Sequence, residues 1–230
     1  MYLVLFDCDG TLVDSQAMIV AAMEHAFHDV GLAPPARAVT LSIVGLSLPV
    51  AMAALTAGLP DAPVAALVDA YRGAFHRLRT EPVDREPAYP GALAAIEALA
   101  ARDDVLLGVA TGKSRRGLDA VLARLGIADR FVTLQTADDA PSKPDPTMVR
   151  QALAEAGVPA GRTVVVGDTT FDMDMARAAG AFAIGVAWGY HPTDRLLAAG
   201  AHRLVADFAE LPAAVTQVLA GGAARRLVTT

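Results

Sequence analysis

Leu3-Val4-Leu5-Phe6-Asp7-Cys8-Asp9-Gly10-Thr11-Leu12-Val13-Asp14-Ser15 is the stretch whose reading decides the fold. Leu3 to Phe6 form a short apolar run that suits a strand buried on both faces, and two carboxylates stand where that strand should end. Side chains alternate along a strand, so Asp7 and Asp9 are expected to project to one side and Cys8 to the other, into the core. Gly10 lets the backbone turn, and Asp14 or Ser15 can cap a following helix. The paired acids then lie in the crevice at the carboxyl end of a strand, where open α/β sheets bind ligands.

Outward from this stretch, Ile19, Met23, Ala26, Phe27 and Val30 recur at helical spacing up to Gly31, and Pro34 and Pro35 break the pattern. A second helix is expected from Pro49 to Gly58, and a third carries Val64, Leu67, Val68, Tyr71, Phe75 and Leu78 on one face. The Pro-containing segment from Thr80 to Pro90, with Pro82 and Pro87, reads as a connector. Residues 16–88 thus form a helical insert in a core built from 1–15 and 89–230. From Gly91 onward, strands at Val105 to Ala110, Phe131 to Leu134, Thr163 to Val166, Phe182 to Ala187 and Arg203 to Ala206 alternate with helices. Alternation of this kind demands right-handed crossovers, hence a Rossmann-like, mainly parallel α/β sheet with both faces covered. The tail from Gly221 to Thr230 is expected to be partly frayed.

The composition narrows the partners. A chain of 230 residues fits one large domain or a core with a smaller insert, and with 54% hydrophobic residues it can bury a sizeable interior. No apolar run reaches the roughly 18 residues of a membrane span, and no basic or cleavable apolar leader precedes the first strand. The single cysteine fits a reducing compartment, so a cytoplasmic location is expected. A net charge of −6 argues against nucleic acid, whose binding relies on clustered Lys and Arg. A small anionic substrate remains open if a metal or local cations receive it. The Ala-rich helices of the insert are compatible with a monomer or a homodimer.

Three later strand ends are polar as well: Thr111 in VATGKS, Lys143 in SKPDP, and Asp168 with Asp172 in VVVGDTTFD. In a parallel sheet these ends share one edge with Asp7 and Asp9, so they can converge. Each alone has a plainer reading. Either pair of acids can cap helices, Thr111 and Gly112 can form a turn, and Lys143 can be a solvated loop lysine. His25, His28 and His76 read as surface or packing residues, and Trp188 and His191 as either packing or pocket residues. Taken together, acids that repel one another call for a hard divalent cation with oxygen ligands, Mg²⁺ by preference, which leaves positions for phosphate oxygens. Lys143, the Thr111 hydroxyl and the N–H groups around Gly112 supply further anion stabilisation. The combination points to phosphoryl transfer.

The first motif, Thr111, Lys143 before Pro144 and GDTTFD, in that order, resemble the four motifs of the haloacid dehalogenase-like superfamily of phosphohydrolases, over essentially the whole chain. AYPGAL, GDTTFDMDMARAAGA and GVAWGYH are similar to its phosphoglycolate phosphatase branch, and the helical insert resembles the family's type-1 cap. The resemblance implies Asp7 as a nucleophile forming an aspartyl-phosphate and Asp9 as acid and base. It implies Thr111, Gly112 and Lys143 as phosphate-binding residues. Mg²⁺ would be held by the Asp7 carboxylate, the Asp9 backbone carbonyl, Asp168 and Asp172, the last directly or through water. Asp9 speaks against a dehalogenase, since displacing halide needs no acid. The loop from Thr40 to Ser47 resembles the branch's specificity loop and carries no Lys or Arg, which leans towards a small monophosphate such as 2-phosphoglycolate. Gly167 stands where some relatives have an extra acid. Pyrophosphate, nucleoside monophosphates and sugar phosphates also remain as substrates.

Two rivals come from other classes. GVATGKS approaches a nucleotide P-loop but has three residues between its glycines where four are required. A non-enzymatic phosphoacceptor also uses strand-end acids with a Thr and a Lys, but it requires neither Asp9 beside Asp7 nor a long helical insert.

Overall fold

The first apolar run folds as β1 (Tyr2–Phe6), and from Leu3 to Phe6 it has no exposed surface. In this computed structural model residues 1–227 are described, apart from 82, 84 and 85, with side chains to residue 221. β1 lies at the centre of a six-stranded parallel sheet with β2 (Val105–Ala110), β3 (Phe131–Gln135), β4 (Thr163–Gly167), β5 (Phe182–Val186) and β6 (Arg203–Val205). The order is β3-β2-β1-β4-β5-β6, so the chain reverses direction across the sheet between β1 and β4. That is where an open parallel sheet forms its ligand crevice.

Period-two alternation explains why β1 is apolar throughout. Val4 and Phe6 enter one core and Leu3 and Leu5 the other. Four helices follow β1 ahead of the connector that starts at Thr80: α1 (Gln16–Asp29), α2 (Arg37–Leu41), α3 (Leu48–Leu55) and α4 (Val64–Arg79). The remaining helices are α5 (Ala92–Ala100), α6 (Arg115–Leu125), α7 (Thr147–Ala156), α8 (Thr170–Ala178), α9 (Thr193–Ala198) and α10 (Leu211–Leu227). Ile96 of α5, Leu118 of α6 and Leu211 of α10 cover the first sheet face, while Met148 of α7 and Met173 of α8 cover the second. Each large aliphatic side chain removed from water in these layers contributes about 1.5–3 kcal/mol.

The helices after β1 build apolar clusters of their own. Met23 and Phe27 of α1 pack with Met52, Leu67 and Val68, and Met18 and Ala22 pack with Ala74 and Leu78 of α4.

Several local expectations need correction. Ser15 stands at the N-cap of α1, but its hydroxyl lies 2.9 Å from that of Tyr190 and caps nothing; the Asp14 carboxylate accepts from Gln16 N–H instead. α3 ends before Gly58, because Thr56 brings both its N–H and its hydroxyl onto the Met52 carbonyl. The five-residue α2 has too little periodicity to be seen in sequence. α10 runs on to Leu227 through the tail expected to fray, while 228–230 and Pro82 of the connector lie outside the described residues. No helix among the described residues is long and apolar enough to cross a membrane.

Gly108 pairs within β2 against Leu5 and Thr133. It is part of the sheet and not of a phosphate loop, which removes the P-loop reading. A Cβ at Gly108 would stand 2.5 Å from Thr133 Cγ2 and 2.7 Å from Leu5 Cδ2. Gly108→Ala is therefore expected to lower the unfolding free energy by about 1–3 kcal/mol, measured by urea denaturation followed by circular dichroism.

Candidate active site

The chain leaves β1 at Asp7, whose N–H still donates to the Val166 carbonyl at 2.9 Å, so the acid is set by the sheet. β4 delivers Asp168, and the first turn of α8 delivers Asp172. The carboxylates of Asp7, Asp168 and Asp172 are all buried and offer ligand atoms within 4.8 Å of one another. Lys143, from the loop after β3, reaches in with its ammonium 2.6 Å from Asp172 Oδ1 and 2.9 Å from Asp7 Oδ1. It is 1% exposed and so is no solvated loop lysine.

Each carboxylate is oriented differently. Asp168 accepts from the Thr11 hydroxyl at 3.0 Å and from Tyr190 N–H at 2.8 Å. Asp172 Oδ2 accepts from Thr169 N–H and hydroxyl while Thr169 Oγ1 accepts from Asp172 N–H, a reciprocal capping box. Asp172 thus caps α8 with Oδ2 and meets Lys143 with Oδ1, so the cap does not keep it from the cluster. Asp172 also fills the space next to Gly167, where a Cβ would collide with its carboxyl carbon. An acid at 167 and this placement of Asp172 exclude each other.

Three acids face one lysine, leaving an excess of negative charge in a buried place. Burial, with Asp172 nearby and only partly offset by Lys143, pushes the Asp7 carboxyl up to about 6. Burial and the charge of Asp7 push Asp168 well above the ordinary carboxylate range. Burial would lower Lys143, but Asp172 and Asp7 outweigh it and the ammonium is held charged. Asp7 Oδ1 faces Lys143 off the hydrogen-bond direction, and neither Asp7 oxygen has a hydrogen-bond partner. Orphaned, buried, hard oxygen donors beside two further acids fit a divalent metal ion.

Asp9 lines the same cavity as Asp7 but is held by other groups. Its carboxylate takes Lys113 Nζ at 2.7 and 3.0 Å, and the same ammonium lies 2.9 Å from Glu86 Oε1. The side chain of Asp9 is thus outside the three-acid group, and its expected metal contact concerns the backbone carbonyl alone. Cys8 is buried in the core as expected. Lys113 and Glu86 were not foreseen: the first stood in the near-miss P-loop and the second in the connector, and neither context signals a contact across the sequence. Thr11 and Tyr190 were missed for the same reason.

Thr111 is buried at the end of β2, and its hydroxyl accepts from Lys113 N–H at 3.2 Å; Ser114 is the residue that caps α6. Above Gly112 sits the loop before α3. A Cβ at Gly112 would come within 2.5 Å of the Gly45 carbonyl oxygen and 2.7 Å of that of Leu46. Two polar contacts fasten the loop: Ser47 N–H donates to the Ser142 hydroxyl at 2.8 Å, and His191 reaches the Ser42 carbonyl at 3.1 Å. Thr170 N–H donates to His191 Nδ1, so Nε2 carries the proton shared with Ser42. His191 therefore packs between core and loop, while Trp188 packs on Phe208 and Tyr89 and donates to the Thr11 carbonyl. A half-open cavity of about 260 Å³ is bounded by Asp7, Asp9 and Thr111 below and by Tyr71, Phe75 and Leu48 above. His76, on a surface-facing helix position, also borders it.

A Rossmann-like sheet with three buried acids and a lysine at its carboxyl edge defines a class of metal-assisted hydrolytic enzymes. The sequence family described as haloacid dehalogenase-like hydrolase matches residues 4–186. The probable phosphatase IndB of Dickeya dadantii is 37% identical over 94% of both chains. A protein of Rhodospirillum rubrum named phosphoglycolate phosphatase is 35% identical over 90% of this chain and 88% of its own. Among solved structures, a hydrolase from Pseudomonas syringae superposes with a TM-score of 0.80 at 26% identity, over 94% of this chain and 99% of its own. The chain belongs to the haloacid dehalogenase-like hydrolase family.

The charge excess has a measurable consequence. With Asp7 raised from 3.8 to about 6, the stability contributed by its neutral form is complete below about pH 4 and is lost as pH rises through about 6. Metal-free protein should lose up to about 3 kcal/mol through this group between those values. Differential scanning fluorimetry in EDTA should show the melting temperature falling over this window, less steeply in Asp7→Asn. Added Mg²⁺ should raise it more at pH 7.5 than at pH 5.

Proposed function

We propose that the protein is a Mg²⁺-dependent phosphomonoesterase working through an aspartyl-phosphate on Asp7, with 2-phosphoglycolate as its substrate. The observation that carries this reading is Asp7 itself: a buried carboxylate with no hydrogen-bond partner, paired with Lys143 and bordering a cavity of about 260 Å³. Asp7, Asp168, Asp172 and the Asp9 backbone carbonyl would hold the metal. When bound it neutralises carboxylate and phosphate charge.

An Asp7 oxygen attacks phosphorus as the bond from phosphorus to the ester oxygen breaks, and Asp9 gives its proton to that oxygen. Water then attacks phosphorus, Asp9 takes the water proton, and phosphate leaves Asp7. Lys143 holds Asp7 and offsets its charge, while Thr111 and the N–H groups at Gly112 orient the transferring oxygens. Residues 16–88 act as a cap that moves about Asp14 to Ala17 and the connector before Pro90, admitting substrate and excluding water when shut.

Both named relatives are phosphatases by description, and one is named for phosphoglycolate. The cavity adds support: Arg72 and Arg116 border it, so cations absent from the Thr40 to Ser47 loop come from α4 and α6. They suit a leaving group that carries a carboxylate. The single cysteine, buried and free, is in keeping with a reducing cytoplasm, where we place the protein as a monomer or homodimer.

Phosphate release from 2-phosphoglycolate should require Mg²⁺ and fall by at least about 10³-fold in Asp7→Asn. Activity that survives EDTA, or that survives this substitution, would remove the reading. A kcat/KM for 2-phosphoglycolate no higher than for p-nitrophenyl phosphate would remove the substrate alone. Arg72→Ala should raise KM for 2-phosphoglycolate about 5-fold, as loss of one half-solvated charge contact predicts, with little change for p-nitrophenyl phosphate.

A further inference from the structure

Outside the three-acid group lies a second buried set of charges. Lys113, in the turn after β2, donates to both Asp9 oxygens and to Glu86 Oε1. Glu86 Oε2 accepts from Arg79 at the end of α4, at 2.8 and 3.2 Å. The Glu86 carbonyl accepts from Arg124 of α6, which fixes this point of the connector to the core. The Phe75 ring of α4 lies against both cations, with centroid distances of 5.1 Å to Lys113 Nζ and 4.9 Å to Arg79 Cζ. The Lys113 side chain is 7% exposed, Glu86 5% and Asp9 13%. One Glu86 oxygen faces the core lysine and the other the arginine of α4.

We propose that Lys113 is a positioning residue for Asp9, and that Glu86 holds Lys113 in place and ties it through Arg79 to the seating of α4. The proposal rests on the reading of Asp9 as proton donor. As the ester bond breaks, the Asp9 proton passes to the leaving oxygen and Asp9 is left a carboxylate. Lys113 faces both oxygens of that carboxylate, so it stabilises the charge that appears on Asp9 during transfer and fixes its orientation. If α4 swings away, Arg79 and Phe75 leave with it and Glu86 loses one partner. Proton transfer is thereby linked to the closed cap.

The dependence on the leaving group tests this. An alkoxide needs the Asp9 proton as it departs, whereas p-nitrophenolate leaves without one. With Mg²⁺ saturating, kcat/KM is compared for 2-phosphoglycolate and β-glycerol phosphate against p-nitrophenyl phosphate. Asp9→Asn should lose far more on the alkyl esters. Lys113→Met should follow it, losing about 30-fold or more on alkyl esters and less than about 3-fold on p-nitrophenyl phosphate. Glu86→Gln should show the same selectivity at about 3- to 10-fold. Combined with Lys113→Met it should add less than about 2-fold, since it acts through Lys113.

Equal losses on both ester types in Lys113→Met, with Asp9→Asn selective, would overturn the proposal and leave the phosphatase reading intact. Equal losses in Asp9→Asn would remove the acid role and the proposal with it. Multiplying losses in the double variant would overturn the part played by Glu86. Should Lys113→Met not fold, Lys113→Arg and Glu86→Gln decide the matter by the same ratio. Lys113→Arg is expected to keep most of the alkyl activity.

Discussion

The structure depends on a debt of charge at the carboxyl edge of β1 and β4. Asp7, Asp168 and Asp172 lie buried within a few ångströms of one another, and Lys143 cancels one of their three charges. Ionised acids removed from water repel one another and lose hydration, so the arrangement persists only because the surrounding fold over-determines it. Four fully buried apolar residues set Asp7, a capping box sets Asp172, and Thr11 with the Tyr190 N–H sets Asp168. The excess charge makes the edge receptive to a metal ion and then to a phosphate ester. The same features that cost stability supply function.

The two buried charge sets divide the work. Lys143 belongs to the acids proposed to hold metal and attack phosphorus, and Lys113 to the acid proposed to move a proton. They sit on separate loops, after β3 and β2, so each lysine is fixed by its own strand. Only Lys113 is linked to the inserted helices, through Glu86 and Arg79. The three-acid group is therefore set by β1, β4, the first turn of α8 and the loop after β3, while the Asp9 group is shared between the end of β1, the turn after β2, the connector and α4.

The sheet was legible because its signals are local. Leu3 to Phe6 is apolar at every position, as a strand covered on both faces must be, and the strand–helix alternation after Gly91 leaves little choice of topology. Asp7, Asp168 and Lys143 could be placed together for the same reason: each ends or follows a strand, and parallel strands share an edge. Asp172 could not be resolved between cap and site, since period and propensity do not show that one carboxylate can do both. Lys113 and Glu86 stayed invisible because their partnership spans a long stretch of chain and depends on how the connector folds back. α2 was missed since five residues carry too little periodicity, and the choice between Asp14 and Ser15 as the group that accepts at the start of α1 stayed open because the Ser15 hydroxyl is taken by a tyrosine far away in sequence.

One part of the joint between the inserted helices and the sheet, the loop before α3, is held through its own main chain. Carbonyl oxygens of Gly45 and Leu46 press on Gly112, the Ser47 amide takes Ser142, and the Ser42 carbonyl takes His191. Peptide groups are the same in every sequence, so this closure is largely indifferent to which side chains the loop carries. The residues that bound the cavity from α1, α3 and α4 are under no such obligation. Mutation can thus remodel what the cavity accepts while the seat of this loop is inherited unchanged, and one reaction can be passed from metabolite to metabolite.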